Sequence, residues 1–289
     1  MATVQTTGSF QTREVAHVFQ AQATSDGAGV KLKRALGHRG LAMLDPFLML
    51  DEFKTDNPND YIAGFPDHPH RGFETVTYMI HGAMEHRDNV GNKGLLGPGT
   101  AQWMTAGRGI VHSEMPKQEN GLMWGFQLWV NLPAKRKMIK PRYQDIPAAE
   151  IPEHVFENGR VRVVAGTGFD KLGPVQGIDV EPLFFDLILS KGAKAEHLVP
   201  KGHNAFVFVT DGALRVGDNG KEIRAGELAV LSPGELLRVT CDAQSARALF
   251  LAGRPLNEPV ARYGPFVMNT EDEIRQAFDD YRSGRLTQG

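Results

Sequence analysis

Cysteine is almost missing from this chain, with Cys241 its only representative. A lone thiol excludes an intramolecular disulfide and any cysteine-rich zinc site, is compatible with a reducing compartment, and reads as an ordinary buried residue. Excess charge of either sign is missing as well, since 32 Lys and Arg nearly offset 34 Asp and Glu. The one basic block, Lys135-Arg136-Lys137, is far narrower than the face that nucleic acid requires, so it reads as a solvated linker. No aromatic RNA-reading motif accompanies it, and no direct nucleic-acid partner is expected. Residues 1–11 lack both the basic start and the apolar core of a signal peptide, and nothing there suggests a membrane span. The chain therefore reads as cytosolic, with a nuclear pool open if the host is a eukaryote.

What is present is a succession of short apolar segments bounded by Gly, Pro, Asn and Asp, at 72–80, 122–130, 160–165, 183–189, 205–210 and 228–231. Together with turn signals such as Asp211-Gly212 and Asp218-Asn219-Gly220, this spacing predicts an all-β sandwich or barrel. Gly27-Ala28-Gly29 reads as a hairpin turn, because the third glycine of a dinucleotide loop does not follow. Helix is expected only near the C-terminus, where Thr270-Glu271-Asp272-Glu273 has the capping-box pattern. Ile274, Ala277, Phe278 and Tyr281 then share one face before Gly284 stops the run.

At 289 residues, two domains are expected. The stretch from Pro133 to Pro152 turns proline-rich and basic and loses its apolar alternation, which sets the expected division at 1–140 and 141–289. The flanks look distantly alike, each with a glycine-closed apolar strand followed by a second glycine-led strand, as in a duplicated barrel.

The sharpest feature is His68-Pro69-His70-Arg71-Gly72-Phe73-Glu74. Side chains two apart on a strand point the same way, so His68 and His70 can aim two imidazoles at one point. His112 and Glu114, again two apart, can add a third imidazole and a carboxylate. One such histidine alone would be a turn or core residue; four ligand-type residues in two same-face pairs point to a metal. Imidazoles with one carboxylate suit an open site better than a closed structural zinc, and by ligand chemistry iron, copper, nickel and zinc all remain open.

The order Gly64, His68, His70, Glu74, Gly82 resembles the first cupin motif, and Gly99 with Gly109 and His112 resembles the second, although Thr105-Ala106-Gly107-Arg108 adds length there. The strings at 68–76, 102–110, 112–116, 253–260 and 264–270 resemble pirins, over roughly residues 26–285. That resemblance implies two cupin (jelly-roll) barrels in tandem with a short C-terminal helix. It implies Fe(II), with other divalent metals such as Mn possible, held by His68, His70, His112 and Glu114. A general cupin would instead use Glu74 as the carboxylate. The pirin strings favour Glu114 and leave Glu74 to orient a ligand imidazole or the pocket.

Setting Gly212 against Gly82 places Leu198, Pro200 and Asn204 opposite His68, His70 and Glu74, with Leu237 opposite His112, so the second barrel is expected to hold no metal. His197 and His203 read as loop or surface residues, and His81, Glu85 and His86 as solvent-facing. Met79, Met104, Met115, Met123, Trp103, Trp124 and Phe126 read as core, and Ser113 as facing away from the site.

The resemblance further implies a quercetin 2,3-dioxygenase type of activity, with a flavonol-like substrate, dioxygen, and Glu114 accepting the flavonol hydroxyl proton. The rival implication is an iron-dependent regulatory protein, either a transcription cofactor or a modulator of metabolic enzymes, that uses the metal as a redox sensor.

Overall fold

A computed structural model describes residues 10–288. Most of residues 1–11, the stretch read above for a leader, thus lies outside the described residues. Two antiparallel barrels follow one another and are joined face to face.

The first barrel closes a seven-stranded sheet over a four-stranded one. The large sheet runs Arg142–Ile146, Ala101–Thr105, Phe73–His81, Met123–Asn131, Phe47–Thr55, Val30–Leu36, Gln22–Asp26. The small sheet runs Phe65–His70, Ile110–Pro116, Met84–Asp88, Lys93–Leu96. The second barrel is a ten-stranded array centred on the long strand Asn204–Val216.

Both faces of the Phe73–His81 strand are buried, and they face different things. Val76, Tyr78 and Ile80 join Trp103, Phe126 and Leu128 in a core shared with Phe184, Phe206, Phe208 and Leu251 of the second barrel. Met79, on the other face, packs inside the first barrel with Val30, Phe53, Met84 and Met123. The second barrel is filled by aliphatic side chains including Val163, Leu187, Val207, Leu237 and the buried thiol of Cys241.

Strand pairing moves two pieces of chain across residue 140. Arg142–Ile146 pairs with Ala101–Thr105 and belongs to the first barrel's sheet, whereas Val15–Gln20 pairs with Glu227–Leu231 of the second. Two local expectations are also corrected. Asp211-Gly212 is a bend inside the Asn204–Val216 strand, at a register irregularity, and carries that strand from one sheet into pairing with Lys221–Arg224. Lys137, read as solvated, is buried because its Nζ donates to Gly72 O, Asn131 Oδ1 and Val267 O at 2.7, 2.6 and 3.1 Å, which satisfies all three ammonium protons. Burial still pushes its pKa down to about 8.

The C-terminal helix, Glu271–Arg282, carries the expected capping box between Thr270 and Glu273. It buries Ile274 and Ala277, while Tyr281 stays exposed. The preceding hairpin, Ala261–Tyr263 with Phe266–Met268, lies against the first barrel: Val267 N donates to Arg71 O, and Arg71 pairs with Asp280 of the helix at 2.8 Å. No helix among the described residues is long and apolar enough to cross a membrane.

Candidate metal centre

Antiparallel pairing brings the three histidines together. His68 and His70 end the Phe65–His70 strand with their side chains on one face, and the register sets His112 directly opposite His68. The ring centroids are 4.7 Å apart for His68 and His70, 4.3 Å for His68 and His112, and 4.9 Å for His70 and His112. One nitrogen from each ring can be chosen so that all three lie within 4.8 Å of one another, a spacing that could hold a metal ion.

Proton placement agrees with that reading. His68 Nδ1 lies 2.8 Å from Pro66 O and His70 Nδ1 lies 3.4 Å from Pro265 O, and a carbonyl can only accept, so both rings carry their proton on Nδ1. Their Nε2 atoms nevertheless stand 3.1 Å apart, two lone pairs aimed at a common region. His112 Nε2 is buried with no partner at all. Burial first, and the neighbouring imidazoles second, push His70 and His112 well below the ordinary histidine range and keep them neutral. Leaving such nitrogens unpaired is costly, and a divalent cation is the group that would satisfy them together.

The two candidate carboxylates part company. Glu114 follows His112 after a register shift and lines the same cavity, where Oε1 accepts from Thr77 Oγ1 at 2.8 Å and Oε2 from Gln127 Nε2 at 3.0 Å. It is not one of the group within 4.8 Å. Glu74 has the parity of Val76 and Tyr78 and so faces away from the imidazoles, where its Oε1 accepts from Thr105 Oγ1 at 2.6 Å. It touches no ligand imidazole, which corrects its expected orienting role.

Burial pushes the Glu74 carboxyl up to about 7 from 4.5, partly opposed by the Thr105 hydrogen bond. A raised acid pKa means that folding binds a proton. The contribution of Glu74 to stability is full below pH 4.5 and is lost as pH climbs through 7. Urea unfolding of Glu74→Gln is expected to match the parent near pH 4.5 and to exceed it at pH 8 by roughly 2–3 kcal/mol. Parallel pH profiles for the two proteins would refute this.

Beside His68 and His70 opens a cavity of about 890 Å³, walled by Leu32, Met49, Phe53, Phe65 and Trp129, with Arg34 and Arg262 toward its rim and the buried Asp51 against Arg34. Its far side comes from Tyr263, Gly264 and Pro265, so the C-terminal hairpin completes a site begun by residue 68.

Sequence reasoning misplaced His86. It pairs opposite Glu114 and has the parity of buried Met84, so it points inward, and its Nε2 lies 3.0 Å from His112 Nδ1 and 3.1 Å from Tyr143 Oη. The buried Met84 two residues earlier was the available signal. Glu85, on the opposite face, is held by Arg87, Lys93 and Lys117, and only His81 of that trio is exposed. Hydrogen bonds to the second nitrogen of a metal-bound imidazole fix its orientation, so His86→Phe is expected to weaken metal binding by roughly 10- to 100-fold in a competition titration with a chelator. Unaltered affinity would reduce His86 to packing.

In the second barrel the position matching His112 is Leu237, fully buried in the aliphatic core, and Asn204 donates to Asp45 O at 2.6 Å. His203 lies in the loop before the Asn204–Val216 strand, as expected, yet is buried with Nε2 3.1 Å from Glu181 O, whereas His197 lies in the Lys194–Leu198 strand and stacks on Phe169.

Comparison with known proteins matches this geometry to a family. Residues 29–130 match the family described as Pirin and residues 184–287 the Pirin C-terminal cupin domain. The chain is 50% identical over 276 residues to a pirin-like protein of Caulobacter vibrioides, covering 95% of this chain and 99% of that one. The chain belongs to the pirin family. It is also 50% identical over 280 residues to a Pseudomonas aeruginosa protein named provisionally as a quercetin 2,3-dioxygenase, covering 95% and 98%. The crystal structure of a quercetin 2,3-dioxygenase from Acinetobacter baumannii superposes with a TM-score of 0.88 at 35% identity, covering 95% of this chain and 98% of that one. The likeness to that structure thus extends over nearly the whole length of both chains.

Proposed function

We propose that this pirin is a metal-dependent dioxygenase of the quercetin 2,3-dioxygenase type, with Fe(II) held by His68, His70, His112 and Glu114. The observation that carries the reading is the cluster of three imidazoles, two of which, His68 and His70, line a cavity of about 890 Å³. Ligand sites for small molecules run to about 300–1,000 Å³, so the opening suits a flat polyphenol, whereas a closed centre beside an exposed patch would suit a regulatory partner. The relatives named for quercetin oxidation support the same substrate class.

Iron, when bound, supplies Lewis acidity toward two adjacent flavonol oxygens together with redox chemistry toward dioxygen. The protein does the rest. Trp129, Met49 and Phe53 give the aromatic body an apolar wall and exclude water from it. Glu114 accepts the flavonol hydroxyl proton, which makes the bound substrate electron-rich, and Thr77 and Gln127 hold the carboxylate in place for that transfer. His70 and His112 stay unprotonated through burial and so remain available as ligands at neutral pH.

Anaerobic addition of quercetin to iron-loaded protein is expected to shift the flavonol absorption band to longer wavelength, and admitting air to start oxygen uptake. Glu114→Gln is expected to remove the shift and lower turnover by about 10²- to 10⁴-fold, the usual worth of a general base. An unchanged spectrum with no oxygen uptake overturns the proposal. Full iron in Glu114→Ala with none in Glu74→Ala would exchange the two carboxylates.

A further inference from the structure

Two arginines stand at the rim of the cavity, and their circumstances differ. Arg34 is committed, since its Nε and Nη2 grip Asp51 at 2.8 and 2.7 Å, and Nη2 also meets Asp26 at 2.9 Å. Arg262, from the Ala261–Tyr263 strand, has no carboxylate within ion-pairing distance among the described residues. Its Nη1 donates to Leu48 O at 3.0 Å, and its Nη2 meets only Met49 Sδ at 3.8 Å. The guanidinium carbon lies 4.7 Å from the centroid of the Trp129 ring, which fixes the cation against one cavity wall. Burial first, and the nearby Arg34 second, push its pKa down, opposed only through space by Asp51 and Asp26, neither of which reaches it as an ion-pair partner.

The same wall leads to the imidazoles. The Trp129 ring is 5.2 Å from the His70 ring, so with the 4.7 Å stacking distance the guanidinium and the His70 ring lie at most about 10 Å apart. None of the acids lining the cavity pairs directly with Arg262: Asp26 and Asp51 grip Arg34 and reach Arg262 only through space, and Glu114 accepts from Thr77 and Gln127.

We infer that Arg262 is a recognition residue for an anionic group, a carboxylate or sulfonate, on the end of the substrate opposite its metal-chelating oxygens, so that the cavity selects aromatic acids over neutral polyphenols. The inference rests on the dioxygenase reading only for the chelating end. A guanidinium presents paired donors that match such an anion, and a planar aromatic body would lie along Trp129 between the two anchors.

The test is anaerobic equilibrium binding to the metal-loaded full chain, followed by quenching of tryptophan fluorescence, with quercetin and quercetin 5′-sulfonate as probes. The parent is expected to bind the sulfonate at least about 10-fold more tightly than quercetin, and the preference should shrink with added salt. Arg262→Gln is expected to weaken sulfonate binding by roughly 10- to 100-fold while moving quercetin less than about 3-fold, and Arg262→Lys to restore part of the loss. Equal sulfonate affinity in the parent and Arg262→Gln overturns the inference, as does a parent with no salt-sensitive preference, a result that stands even if the glutamine variant fails to fold. Anion binding that depends on Arg262 without turnover of any flavonol would keep this inference and remove the dioxygenase reading. Quercetin turnover without anion preference would do the reverse.

Discussion

His112→Ala is expected to strip the protein of its metal while leaving both barrels folded. His112 is the most buried of the three imidazoles, its ring lies 4.3 and 4.9 Å from the other two, and its Nε2 has no protein partner. If roughly 10–16 kcal/mol of binding is shared among four ligands, losing one costs about 3 kcal/mol, or on the order of 10²-fold in affinity and more where the remaining geometry relaxes. Metal analysis after dialysis against a weak chelator should find the parent loaded and the variant nearly empty. The fold should persist because the aliphatic core of the second barrel and the core between the barrels contain no part of the site. Full metal content in His112→Ala would mean that His112 is not a ligand.

Gly72→Ala is expected to have the largest effect on stability of any single methyl group added near the site. Gly72 has φ +89, a left-handed conformation that side chains rarely adopt. A Cβ there would overlap the Val267 carbonyl and come within 2.9 Å of Met268 Sδ. That carbonyl is one of the three acceptors of Lys137, and the neighbouring Arg71 carries the bridge to Val267 and the ion pair to Asp280. Relief of the overlap must lift the Phe266–Met268 strand from the barrel. Backbone strain of about 1–3 kcal/mol plus the disturbed buried ammonium gives a loss of roughly 3–5 kcal/mol. For a chain of this size that amounts to a fall in Tm on the order of 10 °C, measurable by calorimetry. Metal affinity should fall with it, because His70 takes its orienting carbonyl from Pro265 in the same hairpin. A Tm unchanged within a degree would refute the clasp.

Much of this was legible in the amino-acid order, for identifiable reasons. The strands at Phe73–His81, Met123–Asn131 and Leu183–Ser190 stand out because burial on both faces makes them continuous apolar runs bounded by glycine or polar turns. The imidazole trio is legible because a strand's two-residue period is a short-range rule, and only the pairing of His68 with His112 is long-range. The helix cap is local chemistry and therefore readable. What escaped depends on partners distant in sequence. Arg142–Ile146 is a sheet-edge strand in a proline-rich stretch, stabilised by pairing with Ala101–Thr105 and by little of its own pattern. Lys137 looks solvated until Gly72 and Val267 supply its acceptors from 65 and 130 residues away. Glu74 occupies the usual cupin position for a carboxylate ligand, yet faces the second barrel, because its parity on the strand is that of Val76.

The orienting carbonyl of Pro265 stands 195 residues from the ring it serves. Translation proceeds from the N-terminus, so the three imidazoles leave the ribosome well before the residue that locks His70 in place. A nascent chain paused anywhere before that hairpin lacks the carbonyl that His70 Nδ1 meets. The orientation of His70 is thereby completed only after the second barrel has been made.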